Sequence, residues 1–308
     1  MITIFQADKN YRSNPGYKFL KKNIENMEQN NNNYFFHVDS ENWVSYVDLK
    51  IIKLLKLLKN YDDDKIIMYI DALDTLVVAK DNEIEQKFLE LDVDVLYSCE
   101  NGCWPDPNFA KFFTDNRFLN SGTIIFKNIK YQKILEVLID LYNGRLVYNC
   151  DQYYHSIFAV ISLVDIKIKL DKNNEIFQCL VFENENSFEK IDNRIKNKIT
   201  NTLPCVFHGN GTNGKEVLDN LFYYDTPKVS FMGFTEDKNG INFMNSSDRV
   251  NKIKVYAEIK NSDNLIIYST NLDLPYNIIF YISAGINGDY IFTVYDENHN
   301  MLIEEKNF

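Results

Sequence analysis

The sequence lacks the segments that send a chain into or across a membrane. No window approaches the ~20 apolar residues that span a bilayer. The N-terminus, MITIFQADKN, has neither the basic region nor the apolar core of a signal peptide. We therefore expect a cytosolic protein without a membrane partner, with secretion by another route left open.

Positive charge is scarce. The chain has 33 lysines and arginines against 44 aspartates and glutamates, which gives a net charge of −11. This balance argues against nonspecific binding to nucleic acids or to an anionic membrane surface. A cationic partner is more compatible with this negative net charge.

Cysteines are few, and their spacing fits no zinc site. The five of them, Cys99, Cys103, Cys150, Cys179 and Cys205, are odd in number and scattered along the chain. Reduced, partly buried thiols are the expected state.

The material for a packed core is present. Hydrophobic residues make up 45% and aromatic residues 14% of the 308 residues, which argues against global disorder. Since domains typically run to about 100–200 residues, the length allows one large α/β domain and a small appendage.

Apolar runs of strand length alternate with helical stretches over most of the chain. Strands are predicted at residues 2–7, 34–38, 65–70, 94–98, 121–126 and 203–207, and helices after Gly16 and at residues 49–60, 131–143 and 151–161. The run at 65–70, KIIMYI, is continuously apolar, as in a strand buried on both faces of a parallel sheet. The alternation indicates a doubly wound α/β sheet.

The helix predicted at 49–60, LKIIKLLKLLKN, has a lysine at every third position. A helix lying on a membrane surface is one interpretation. The other is a helix packed on the core, whose lysines extend along apolar surface to reach water. We adopt the second interpretation, because such helices are far more common.

From about residue 228 the pattern changes to short strands separated by polar turns, without a helical period. We therefore predict two domains, an α/β domain over residues 1–227 and a small all-β module over residues 228–308. Dimerisation, acceptor docking and simple stabilisation are open roles for the module, and a homodimer is one expected assembly.

Two carboxylates follow the strand at 65–70, in the stretch YIDALDT. In an open α/β sheet, ligands bind beyond the carboxyl ends of the strands, so Asp71 and Asp74 are expected at that edge. Two acids this close repel each other unless a cation or a proton lies between them, and a shared divalent metal is one explanation. A helix cap or a solvated turn is the other.

A histidine ends the strand at 203–207 and is followed by Gly209, Asn210 and Gly211. The glycines leave the backbone free to adopt positive φ and to approach a ligand closely. His208 is a candidate third metal ligand, and two carboxylates with one imidazole suit Mn²⁺ better than Ca²⁺. A capping histidine in a glycine turn remains the alternative.

Other polar and aromatic groups lie between these two stretches. Trp104, in a loop of turn-forming residues, is either a wall against a sugar face or a plug at the edge of the core. Asn120, Ser121 and Gly122 open a strand with amide and hydroxyl groups that a sugar donor needs. Asp151 begins a helix, where a carboxylate caps the helix or orients donor hydroxyls.

These motifs occur in a recognisable order. The stretches IIMYIDALDTLVVA, CENGCWPDPN, RFLNSGTIIF, DQYY, LDKNNEIFQCL and TLPCVFHGNG follow one another as in the glycosyltransferase domain of the procollagen-lysine hydroxylase/glycosyltransferase family. The resemblance covers roughly residues 1–225. It implies a GT-A (Rossmann-like) fold, a UDP-sugar donor and Mn²⁺.

By this resemblance, Asp71, Asp74 and His208 match the metal-binding positions of the family. Trp104 is similar to its tryptophan at the sugar site. Asp151, next to Gln152, is similar to the last acid of its acidic run, while Asn210 and Gly211 resemble its diphosphate-binding turn. Trp104 and Asp151 are thus expected to be catalytic. Donor contacts are expected from Asp71, Asp74, Asn120, Ser121, Gly122, Asp151, Gln152, Asn210 and Gly211.

The resemblance further implies transfer of glucose from UDP-glucose to galactosyl-hydroxylysine of collagen or a collagen-like protein, with retention as an α-1,2 linkage. A galactose donor, another glycan acceptor and a non-catalytic carbohydrate-binding protein are alternatives. Leu73 stands where the family has an aromatic residue that stacks on uracil, and the acidic run is reduced to Asp151 after Asn149 and Cys150. The β-rich tail has no metal-binding pattern of a hydroxylase, so a stand-alone transferase is expected.

Overall fold

The computed structural model describes residues 1–39, 48–142, 150–161, 165–192, 194–222, 229–234, 240–245, 252–261, 266–275, 279–283, 290–296 and 301–307. By their internal contacts they divide into two compact units, Met1–Leu221 and Phe222–Phe308. The functional boundary between residues 227 and 228 stays a prediction.

The first unit alternates strands and helices. Its elements are β1 (Ile2–Asp8), α1 (Tyr17–Gln29), β2 (Tyr34–Asp39), α2 (Leu54–Leu58), β3 (Ile66–Asp71), β4 (Thr75–Val77), α3 (Asp81–Glu90), β5 (Val95–Glu100), β6 (Phe118–Lys127), α4 (Asn128–Tyr142), α5 (Asp151–Ile161), β7 (Ile168–Leu170), β8 (Phe177–Cys179), β9 (Phe188–Ile191), β10 (Arg194–Asn197), β11 (Val206–His208) and α6 (Gly211–Phe222). The predicted strands and helices all appear, although β11 begins later than predicted. A π-helical turn, Asp48–Lys53, precedes α2.

The main sheet has the strand order β2-β1-β3-β6-β5-β7. Strand β1 runs parallel to β2 and β3, and β7 runs parallel to β5, whereas β6 is antiparallel to both of its neighbours. The sheet is therefore mixed, since β3 pairs with a parallel strand on one side and with an antiparallel strand on the other. The carboxyl ends of β3 and β5 nevertheless lie at the same edge.

The core lies on both faces of this sheet. Along β3, Ile67 and Tyr69 belong to one buried cluster, while Met68 and Ile70 belong to the other. Helices α2, α4 and α5 contribute to the first cluster, and α1 and α3 contribute to the second. Because successive strand side chains point to opposite faces, the continuous apolar run of β3 is explained by burial on both sides.

A small sheet with the order β4-β11-β8 lies beside the main one. Strand β11 pairs antiparallel with β4 and parallel with β8. Its register sets His208 opposite Thr75. The last residue of β11 therefore lies beside the turn that contains Asp74.

The described part of the chain from residue 229 onward consists of strands, which confirms the β-rich module. They are β12 (Val229–Phe234), β13 (Gly240–Asn245), β14 (Lys252–Asn261), β15 (Ile266–Pro275), β16 (Ile279–Ser283), β17 (Tyr290–Asp296) and β18 (Met301–Asn307). They form two antiparallel sheets, with the orders β12-β13-β16 and β15-β14-β17-β18. Among the described residues, no helix combines the length and apolar character needed to cross a bilayer.

Candidate metal and donor site

Asp71, Asp74 and His208 converge, as the sequence predicts. Asp71 ends β3, Asp74 lies in the turn before β4, and His208 ends β11. One ligand atom from each lies within 4.8 Å of the others. The two turns are joined directly, since the amide of Gly209 donates a hydrogen bond of 2.7 Å to the carbonyl oxygen of Asp74.

The hydrogen bonds around His208 orient its ring toward the carboxylates. Its Nδ1 lies 3.1 Å from Oδ1 of Asn120, whose own amide nitrogen donates to Glu100. Since the Asn120 oxygen must therefore face the ring, Nδ1 is the donor and Nε2 is left to face Asp74 at 3.5 Å. A second group that fixes the tautomer is typical of histidines that bind metals.

The donor set fits a divalent cation. With Nδ1 as the donor, Nε2 and the Asp74 carboxylate face each other as two acceptors, which a shared cation or a proton stabilises. Burial raises the pKa of the Asp74 carboxyl, but the neighbouring His208, Lys215 and Lys50 together outweigh burial and hold that pKa below its ordinary value. Burial and the charge of Asp74 raise the pKa of Asp71.

Lys50 neutralises Asp71 from inside the protein. Its ammonium lies 2.7 Å from Oδ1 and 2.8 Å from Oδ2 of Asp71, and its side chain is only 6% exposed. Burial disfavours the charged ammonium, but the negative charges of Asp151 and Asp71 hold the Lys50 pKa well above its ordinary value. The interpretation that every lysine of this helix reaches water was therefore wrong for Lys50.

Glu100, the last residue of β5, gathers three side-chain amides. It accepts hydrogen bonds from Gln152 at 2.7 Å, from Asn120 at 3.1 Å and from Asn210. The residue is 5% exposed, and burial raises the pKa of its carboxyl while these hydrogen bonds oppose that rise. Glu100 thus ties together three residues that the sequence predicts as donor contacts.

Two glycines are needed where the backbone approaches these groups. A Cβ at Gly122 would collide with the His208 ring and would lie 2.9 Å from Oδ2 of Asp71. Gly211 has φ +71°, a conformation that L residues other than glycine rarely adopt. The positive φ expected after His208 is therefore present at Gly211.

One cavity of about 510 Å³ collects almost all the predicted site residues. This volume is within the usual range of small-molecule sites. The predicted residues that line it are Asp71, Asp74, Trp104, Asn120, Ser121, Asp151, Gln152, His208, Asn210 and Gly211. Gly122 lies directly behind the metal ligands. Asn149 lies outside the described residues.

The exposure of Trp104 and Asp151 bears on the interpretations that the sequence leaves open for these two residues. Trp104 is 66% exposed, so it does not plug the edge of the core. Asp151 is 4% exposed at the start of α5 and lines the cavity. Both side chains therefore line the same cavity as Asp71, Asp74 and His208.

Sequence reasoning missed Lys50 and Glu100, which also line the cavity. Glu100 ends a buried strand on a carboxylate, as Asp71 does, so the rule that selected Asp71 also applies to it. Lys50 carries no such signal, because four lysines recur at the same spacing in its helix. Only the packing of the helix distinguishes it from the others.

A larger groove of about 690 Å³ contains none of these residues. It is lined by Phe112 and by the lysines Lys167, Lys169 and Lys172, among others. Each lysine donates to a neighbouring oxygen. The described residues that line it offer no comparable set of metal ligands.

Behind the cavity, α5 buries a histidine between two tyrosines. Nδ1 of His155 lies 3.0 Å from the Tyr97 hydroxyl, and its ring stacks on Tyr131 at a centroid distance of 5.9 Å. Burial lowers the pKa of His155 from 6.5 to about 4. The imidazole is therefore neutral in the folded protein at neutral pH.

We expect His155 to make the fold sensitive to acid. Because its folded pKa is depressed, the unfolded chain binds the additional proton between pH 6.5 and about 4. The stabilisation is complete above pH 6.5 and is lost as the pH falls, by an amount on the order of 3 kcal/mol. Urea unfolding from pH 7.5 to 4.5 should give a shallower loss of stability in His155→Gln than in the wild type.

His37→Gln is the matched control, since His37 is a histidine that is only half-buried on β2. Its unfolding free energy should follow the wild-type pH dependence. An unchanged slope in His155→Gln would contradict the assignment.

The mixed α/β sheet, with two aspartates and a histidine at its edge, defines a fold of the GT-A glycosyltransferase type. Residues 46–235 match the family model described as the PLOD GT domain. The chain belongs to this family of glycosyltransferase domains.

The chain is also similar to two curated proteins. The chain is 29% identical over 258 residues to protein R699 of Acanthamoeba polyphaga mimivirus, which covers 82% of this chain and 51% of that protein. It is 29% identical over 172 residues to the human multifunctional procollagen lysine hydroxylase and glycosyltransferase LH3, which covers 53% of this chain and 23% of LH3. The chain thus matches about half of the first relative and a quarter of the second.

A looser likeness connects the chain to a solved glycosyltransferase involved in glycosylation of the major capsid of PBCV-1. The two are 13% identical with a TM-score of 0.46, and the match covers 71% of this chain and 98% of that one.

Proposed function

We propose that this protein is a metal-dependent, retaining glycosyltransferase that moves glucose from UDP-glucose to galactosyl-hydroxylysine of collagen or a collagen-like protein. The observation that carries the proposal is the convergence of Asp71, Asp74 and His208 within one cavity. Membership of the PLOD GT domain family supports transfer of a hexose. Similarity to LH3, a procollagen lysine hydroxylase and glycosyltransferase, supports the choice of a collagen-like acceptor.

Asp71, Asp74 and His208 are the residues that would hold Mn²⁺. Two carboxylate oxygens and one imidazole nitrogen match the ligand preferences of this ion. When bound, the ion supplies Lewis-acid stabilisation of the charge that grows on the departing diphosphate. Asn120 and Glu100 keep His208 oriented for this purpose.

The turn after His208 contributes to binding the diphosphate. Helix α6 begins at Gly211, and the first amides of a helix favour an anion. Asn210 is fixed by hydrogen bonds, since its Oδ1 accepts from the amide of Leu180 at 3.2 Å and its Nδ2 donates to Glu100. The backbone of this turn is therefore held in place before the donor arrives.

Asp151 and Lys50 set the charge at the sugar end of the cavity. In the transfer, the bond between glucose C1 and the diphosphate oxygen breaks, a bond from C1 to the acceptor oxygen forms, and the proton of that hydroxyl passes to the departing diphosphate. Asp151 is proposed to contact the donor sugar, with Trp104 as an aromatic wall beside it. Lys50 forms an ion pair with Asp71, and the negative charge of Asp151 also stabilises its ammonium.

A non-catalytic carbohydrate-binding protein is the second candidate. It is favoured by Leu73, which packs against the buried core instead of offering an aromatic ring to a base. The two aspartates, the histidine and Trp104 oppose it, because together they match the metal and sugar contacts proposed for a transferase. UDP-galactose is the alternative donor within the transferase proposal.

We expect UDP release from UDP-glucose to require both Mn²⁺ and a galactosyl-hydroxylysine acceptor. UDP formation should be measured with UDP-glucose and UDP-galactose, each with and without the acceptor, and after removal of metal with EDTA. Release from UDP-galactose alone would change the donor assignment. Donor binding without release under any of these conditions would support the non-catalytic candidate.

A further inference from the structure

Phe182 has an unusual backbone conformation. Its φ is +61°, in the left-handed region. Every other non-glycine residue with positive φ in the described part of the chain is an asparagine or an aspartate, namely Asn31, Asp92, Asp115, Asn116, Asn174, Asp192 and Asn201. Asparagine and aspartate tolerate this region, whereas it is a genuine outlier for a bulky side chain.

The ring of Phe182 is also exposed. The residue is 70% exposed, more than most large apolar residues of the described chain. Its ring lies over Gly102, where a Cβ would come within 2.6 Å of Cε2. A strained backbone that presents an apolar ring to solvent gains little stability from burial, and such strain is concentrated at ligand sites.

The neighbouring contacts hold Phe182 in this position. Its amide donates to Oδ1 of Asn213 at 3.3 Å, and the next residue, Glu183, accepts a hydrogen bond of 2.9 Å from Asn101. The amide of Val181 donates to Asn210 at 3.3 Å. The conformation is therefore fixed from both sides by the loops that carry the donor-binding turn and Trp104.

Phe182 and Trp104 line the same cavity as the metal ligands. Both are more than half exposed, whereas Glu100 and Asp151, which line the same cavity, are buried. The cavity thus has a carboxylate interior and aromatic groups at its solvent side. This combination of apolar and hydrogen-bonding surfaces suits a pyranose, which presents C–H groups on a face and hydroxyls at its edge.

We propose that Phe182 is a binding wall for the acceptor sugar, a pyranose of the galactose type that stacks its C–H face on the exposed ring. The proposal rests on the proposed function. The donor diphosphate belongs beside Asp71, Asp74 and His208, so the donor sugar lies next to them in the interior. An acceptor carried on a polypeptide enters from solvent, where the Phe182 ring stands.

Phe182→Gly separates this role from a structural one. We expect the KM for galactosyl-hydroxylysine to rise about 10-fold, while kcat and the KM for UDP-glucose keep their wild-type values. Glycine adopts the left-handed conformation without strain. The thermal midpoint should therefore stay the same or rise by about 2–4 °C, in the opposite direction to the loss of acceptor binding.

Two control variants test the two properties of Phe182 separately. Asn201→Gly relaxes another positive φ, of +59°, outside the cavity. Phe112→Ala removes another exposed ring, on a different groove. Neither should change the KM for the acceptor.

A binding measurement keeps the test independent of turnover. The chain has two tryptophans, Trp43 and Trp104. Trp43 lies outside the described residues. In Trp43→Phe the remaining tryptophan is Trp104, whose fluorescence reports on ligands in the cavity. Galactosyl-hydroxylysine should change its fluorescence, and adding Phe182→Gly should weaken the apparent affinity about 10-fold.

The outcomes distinguish this inference from the proposed function. Unchanged acceptor KM and unchanged affinity in Phe182→Gly would overturn the assignment of Phe182. A rise confined to the KM for UDP-glucose would also overturn it, because the ring would then contact the donor sugar. If the wild type shows no turnover, the proposed function fails, while the fluorescence titration still decides whether Phe182 binds the sugar.

Discussion

Asp71→Ala is expected to lower the rate of sugar transfer by at least about 10²–10³-fold, the cost of removing a group that stabilises charge in a transition state. Asp71 supplies one of three metal ligands, and its removal also leaves Lys50 without the carboxylate 2.7 Å away. His208→Ala should lower the rate by a similar factor, because it also removes a metal ligand. UDP release with saturating UDP-glucose, acceptor and Mn²⁺ measures both.

The metal assignment needs a readout besides activity. Mn²⁺ binding followed by electron paramagnetic resonance should weaken in both variants, while circular dichroism should show a retained fold. Asp64→Ala is the matched control, because Asp64 is an exposed carboxylate just before the other end of the strand. Near-normal turnover and Mn²⁺ affinity in Asp71→Ala and His208→Ala would reject the site.

Lys50→Met is expected to destabilise the metal-free protein by about 3 kcal/mol. Removing one partner of a buried ion pair leaves the other charge uncompensated, which typically costs 3–5 kcal/mol, and the lower end applies because the Asp71 side chain is 25% exposed. A methionine keeps most of the buried volume of the lysine stem. Urea unfolding in EDTA measures the loss.

Manganese should restore part of this stability. The ammonium and the metal ion both neutralise Asp71, so Mn²⁺ should raise the thermal midpoint more in Lys50→Met than in the wild type. Lys56→Met is the control, since Lys56 is exposed on α2, which directly follows the turn that carries Lys50. An equal response to Mn²⁺ in the variant and the wild type would show that Lys50 does not act as a counter-ion at this site.

The two variants separate the two kinds of positive charge in the cavity. Asp71→Ala removes the carboxylate that both cations share, whereas Lys50→Met removes only the internal one. Loss of metal binding in the first variant and enhanced stabilisation by metal in the second are expected together. This pair of results would identify Asp71 as the residue that couples the helix before β3 to the metal site.

Local sequence determined the main elements and pointed to several of the residues that line the cavity. The apolar run of β3 ends on Asp71, and a strand that stops on a carboxylate indicates the ligand-binding edge of an α/β sheet without knowledge of any contact. The glycines after His208 likewise indicate a backbone that needs positive φ, and Gly211 has that conformation. Periodicity and turn chemistry are encoded within a few residues.

Tertiary structure alone decided which groups meet. The register of β11 against β4 sets His208 beside Asp74, and neither strand specifies its partner through its own residues. The burial of Lys50 depends on which turn of its helix faces Asp71, which the even spacing of four lysines does not reveal. The left-handed segment around Phe182 is held by a hydrogen bond from its own amide to Asn213 and by hydrogen bonds of its chain neighbours Val181 and Glu183 to Asn210 and Asn101. Long-range packing sets these positions, and the chemistry of the cavity depends on them.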